Sequence, residues 1–121
     1  MGLDMFACTT RAEIPAVDFE EPQDSTELFY WRKHPNLQGW MEALYLRKGG
    51  RNPEFNLSAL VLDSADLDQL ESDVTSDRLP DTSGFFFGHS DGSERDDDLA
   101  FIDKARAALA SGKTVFYVAS W

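Results

Sequence analysis

The chain is poor in cysteine, in positive charge and in long apolar runs. Cys8 is the single cysteine among 121 residues, which excludes an intrachain disulfide and agrees with a reducing compartment. Eleven Lys and Arg face 22 Asp and Glu, a formal net charge of −11. The net basic footprint that DNA, RNA or an anionic membrane requires is missing, so no direct nucleic-acid partner is expected. The uninterrupted apolar runs are only a few residues long, too short to span a bilayer. The opening Met1-Gly2-Leu3-Asp4-Met5-Phe6 has neither the basic start nor the apolar stretch of a signal peptide, and Phe6 stands where myristoylation at Gly2 requires Ser or Thr. These features predict a cytoplasmic protein with no membrane partner. A phosphate-binding Gly-x-x-x-x-Gly-Lys-Ser/Thr loop, a His-Glu-x-x-His helix and a Cys-x-x-Cys pair are all absent, and no Gly-x-Ser-x-Gly nucleophile turn is expected. No cofactor is expected.

What is present is a globular composition, 42% hydrophobic and 27% charged, in a chain long enough to bury a core. The charge is segmented. Residues 1–27 hold seven acids against Arg11, and residues 28–51 hold five bases against Glu42. Residues 52–103 hold fourteen acids against Arg78 and Arg95, and residues 104–121 add three bases and no acid.

Alternation predicts a strand over Leu3–Thr9. Residues 11–27, with Pro15, Pro22 and most of the early acids, read as an acidic loop or arm. Pro35 at a first helical position, the stripe Leu37, Trp40, Met41 and Leu44, and Gly49-Gly50 as a stop predict a helix over 35–48. The run Leu28-Phe29-Tyr30-Trp31 fits either a strand or an earlier helix. Phe55 to Leu62 reads as extended. Ser64 is the expected N-cap of a short helix carrying Leu67, Leu70 and Val74. Phe85-Phe86-Phe87 reads as a buried strand between Gly84 and Gly88, and residues 89–95 as a turn-rich loop. Asp96, Asp97 and Asp98 open a helix reaching about Ser111, where carboxylates favour the macrodipole. Thr114 to Trp121 is the last strand. The sum is a compact single α+β domain over residues 1–121, with about four short strands in a small sheet covered by about three helices.

Chemistry concentrates in one block. Tyr30, Trp31, Arg32, Lys33 and His34 set two aromatic rings beside two cations and an imidazole. Such a group stacks on a planar ligand while arginine grips an anion at two points; the competing use is aromatic packing in the core. Cys8, His34 and His89 with an aspartate are a nominal nucleophile, base and orienter, but their spacing does not support that role, and a lone strand cysteine is usually a small core hydrophobe. His89 and Asp91, in a loop rich in carboxylates, are the weak candidates for a metal, and no metal site is assigned to them, because a solvated loop feeding a helix N-terminus explains the same acids.

Several phrases in combination, Met1-Gly2-Leu3-Asp4-Met5, Tyr30 through Leu37 with Gly39-Trp40-Met41, Ser83 through Gly88, and the closing Phe116-Tyr117 and Trp121, resemble a family of small bacterial and phage or prophage proteins. The resemblance spans nearly the whole chain. Some members carry the name phosphoglycerate kinase. Such a kinase is a two-domain enzyme several times longer, and this chain has no nucleotide loop. The resemblance implies a phage or mobile-element setting and carries over no catalytic residue.

The functional expectation is a non-enzymatic binding protein. It would take a host protein through its acidic faces, or a small anionic ligand near Tyr30–His34. The alternative is a small enzyme acting on a phosphate-bearing or nucleotide-like substrate. There Arg32 and Lys33 would hold the anion and His34 or His89 would move a proton, which requires them to share a cleft with Asp4 or Asp91.

Overall fold

The computed structural model describes residues 2–84 and 87–121. Strands β1 (Asp4–Thr10), β2 (Thr26–Arg32), β3 (Leu60–Leu62) and β4 (Thr114–Ser120) form one antiparallel sheet in the order β2-β1-β4-β3. Helices α1 (Pro35–Arg47), α2 (Ser64–Thr75) and α3 (Arg95–Ala110) cover one face, so the α+β class holds, with four strands and three helices among the described residues. Strand alternation divides the sheet residues between two sides. Met5, Ala7, Trp31, Leu60, Leu62, Val115, Tyr117 and Ala119 enter the main core with Leu37, Met41, Leu44, Leu67, Leu70, Phe101 and Ile102 from the helices. Phe6, Cys8, Val61 and Phe116 face the other way, where Ala59 and the arm residues Ile14 and Phe19 pack against them.

The undecided run Leu28–Trp31 is strand. It pairs with β1 from Asp4 opposite Arg32 to Thr9 opposite Thr26, with a bulge between Ala7 and Cys8. The expected strand at 55–62 shrinks to its last three residues. Phe55 and Leu57 sit in left-handed conformations (φ 52° and 60°), and the Asn52 side chain holds the bend by donating to Asn56 O and Ser58 Oγ at 3.1 and 2.8 Å. The bend buries the Phe55 ring against Tyr45 and turns Leu57 out, 72% exposed. Of the expected strand at 85–87, Phe85 and Phe86 lie outside the described residues, and Phe87 belongs to no strand; its ring packs edge-on against Trp121.

The cap of α2 is Asp63 rather than Ser64. Asp63 accepts from Asp66 N–H at 2.8 Å and Asp66 accepts from Asp63 N–H at 2.9 Å, a reciprocal box that satisfies two donors. The backbone bond to Asp66 holds the Asp63 carboxyl below its ordinary range. The arm over residues 11–25 is tied at three places. The Thr10 hydroxyl and the Arg11 N–H donate to Asp24 at its base. Val17 bridges Leu60, and Val61 N–H donates to Ala16 O at 2.8 Å. The Tyr45 hydroxyl donates to Asp18. The arm thereby extends the β3 side of the sheet.

Candidate functional site

Strand β2 separates the Tyr30–His34 block by alternation. Trp31 points into the core and is 4% exposed. Tyr30 and Arg32 point to the other side, where the Tyr30 ring packs tilted against Phe6 (centroids 5.2 Å apart) and its hydroxyl donates to Asp4 at 2.6 Å, and Arg32 lies 3.9 Å from the same carboxylate. Lys33 then adopts a left-handed conformation (φ 54°), donates its N–H to Leu3 O at 2.8 Å, and lays its side chain over Gly88. That reversal swings His34 inward at the head of α1, 3% exposed.

His34 and Trp31 meet on Asp98, the third acid of the expected run, which is 1% exposed. Trp31 Nε1–H donates to Asp98 Oδ1 at 3.1 Å, and His34 Nε2 lies 2.9 Å from Asp98 Oδ2. On its other side His34 Nδ1 lies 2.6 Å from Ser90 Oγ, which also accepts from Asn36 N–H at 3.1 Å. The network is satisfied when Asp98 accepts from both rings, with the His34 proton on Nε2 and the Ser90 hydroxyl donating to Nδ1. A cavity of about 310 Å³ opens beside this network, lined among others by His34, Asn36, Val74, Leu79, Ser90 and Asp98.

Ser90 and Asp98 are absent from the sequence-based candidates, though a signal was available. Gly88-His89-Ser90-Asp91-Gly92 is a Gly-x-Ser-x-Gly run. Read only as a turn-rich loop, it gives no hint that Ser90 reaches a histidine fifty-six positions away. Asp98 is indistinguishable in sequence from Asp96 and Asp97, which stay exposed.

The second feature is the open side of the sheet. A groove of about 440 Å³ runs over Phe6, Cys8, Phe116 and Val118, with Phe19 and Leu57 along its sides and Glu21 and Glu27 at its rim. Burial, reinforced by those two carboxylates, pushes the Cys8 thiol up to about 11. A thiol raised so far is a poor nucleophile at physiological pH, and Glu21 and Glu27 set two carboxylates beside the groove.

The remaining candidates are dispersed. His89 is exposed. Asp91 accepts the Ser93 hydroxyl and N–H at 2.6 and 3.0 Å, bonds that hold its carboxyl below the usual range. Among the described residues no group of three or more His, Cys, Asp or Glu is arranged to hold a metal, and no helix is long and apolar enough to cross a membrane. Arg32 meets Asp4 on the open side of the sheet, while His34 lies with Asp98 and Ser90 under the helices. No family model, curated protein or solved structure matches the chain.

Proposed function

We propose that the chain is a cytoplasmic binding protein whose open sheet face takes an apolar, positively charged segment of another protein. The groove over Phe6, Cys8, Phe116 and Val118 carries this reading. It is an apolar floor left outside the main core, and the carboxylates at its rim would meet Lys or Arg on the partner. Burying apolar side chains there supplies affinity at roughly 25 cal/mol per Å² before the costs of association. The acidic surround speeds encounter and selects basic partners. The family resemblance adds a phage or prophage setting, in which the partner is a host protein. An anionic ligand at Tyr30–His34 is less well served, since Trp31 and His34 already spend their polar atoms on Asp98 and Ser90.

Two fluorescent peptides with the same Leu-Phe centre test this, one flanked by lysines and one by glutamates. The lysine peptide is expected to bind and to weaken as salt rises. Glu21→Lys with Glu27→Lys should abolish its binding. Equal binding of both peptides, or of neither, sinks the proposal.

A further inference from the structure

We infer that Ser90, His34 and Asp98 form a nucleophile, base and orienting carboxylate for the hydrolysis of small uncharged esters, at a site separate from the open sheet face. The argument begins with the loop. Gly88 and Gly92 both adopt left-handed conformations (φ 76° and 91°), and between them the chain turns sharply enough to aim Ser90 back at α1. Ser90 is half-buried, its Oγ within 2.6 Å of His34 Nδ1, while the far nitrogen of the ring is fixed by a buried carboxylate at 2.9 Å. This is the connectivity by which a serine hydroxyl is activated, with the imidazole mounted the other way round, Nδ1 toward serine and Nε2 toward aspartate. Asp98 is held in turn by the Trp31 indole, which fixes the carboxylate that the ring faces. A purely structural pin would need neither a glycine on each side of the serine nor a cavity at the hydroxyl; both are present.

The chemistry balances without a cofactor. Ser90 Oγ attacks the ester carbonyl carbon as its proton passes to His34 Nδ1. The bond from carbon to the alcohol oxygen breaks, and the departing alcohol takes that proton. Water then attacks the acyl-serine, giving a proton to Nδ1, and Ser90 recovers it as the carboxylic acid leaves. Asp98 is a positioning residue that stabilises the transient imidazolium. Asn36 N–H, in the first turn of α1, donates to Oγ at 3.1 Å and holds the hydroxyl at the helix N-terminus.

The cavity selects the substrate. At about 310 Å³ it admits a short acyl group, and Val74 and Leu79 give it an apolar wall. Asp77 and Glu94 line it against the single cation Arg95. A phosphate- or carboxylate-bearing substrate is thus repelled, and a neutral ester is accepted.

The experiment treats the full chain with an alkyl fluorophosphonate and, separately, with p-nitrophenyl acetate. The expected result is one adduct per chain, mapped to Ser90, with a burst of nitrophenolate. Ser90→Ala should abolish both while leaving the circular dichroism spectrum unchanged, and Ser90→Cys should restore acylation by p-nitrophenyl acetate. His34→Gln is expected to slow acylation by about a hundredfold or more. Absence of any adduct, or an adduct that survives Ser90→Ala, overturns the inference.

Discussion

Asp98 shows how much a single residue's surroundings decide. It lies in a run of three aspartates at the head of α3, and local electrostatics alone makes the three equivalent. Burial separates them. Asp98 satisfies two buried ring donors, and removing it leaves the Trp31 and His34 N–H groups unpaired. Asp98→Ala is expected to cost about 3 kcal/mol, whereas Asp96→Ala and Asp97→Ala should each change stability by about 0.5 kcal/mol or less. Urea unfolding of the three variants measures this directly, and three equal small effects would mean that the buried network contributes nothing. Which aspartate turns inward depends on the arrival of Trp31 and His34 from more than sixty positions away, and no local pattern encodes that meeting.

At the scale of elements, legibility followed how local the cause is. Helix α1 was readable because Pro35, its apolar stripe and the glycines after it act within a few turns. Strand β2 was ambiguous because its aromatic run is used on both sides, Phe29 and Trp31 inward and Tyr30 outward on Phe6. The segment before β3 misled because Phe55 and Leu57 alternate in sequence while their backbones are left-handed. Gly39 tests a contact between elements. It lies inside α1, where alanine normally stabilises a helix by about 1 kcal/mol. Here a Cβ would overlap Thr82 Oγ1 and fall 2.9 Å from Thr82 Cβ, because the segment after α2 crosses the helix at that point. Gly39→Ala should lower the melting temperature, and Thr82→Gly added to it should recover most of the loss. If Gly39→Ala instead stabilises, that crossing is not closely packed.

For the molecule as a whole, the excess of 22 acids over 11 bases is only partly neutralised by local pairs. Arg106 binds Asp68 and Glu71 at 2.8 and 2.9 Å, and Lys48 binds Asp66. The remaining like charges repel one another in the folded state, and salt screens them over about 10 Å at 0.1 M. Raising sodium chloride from about 20 mM to about 150 mM should therefore raise the melting temperature in a thermal scan. A fall would mean that the ion pairs outweigh the repulsion. The sheet order was not legible in the composition or the charge pattern, because the two central strands stand at opposite ends of the sequence.

That order has a consequence in time. Residues 4–10 pair along their length with residues 114–120, and β3 reaches the rest of the sheet only through β4. As the chain leaves the ribosome, β1 and β2 can meet early, but β3 has only its contacts with the arm until β4 has been made. The apolar faces of Met5, Ala7, Leu60 and Leu62 wait for that partner, and closing so long a loop favours slow folding. The nascent protein thus spends its synthesis with half a sheet exposed, the interval in which a chaperone holding β1 would do the most good.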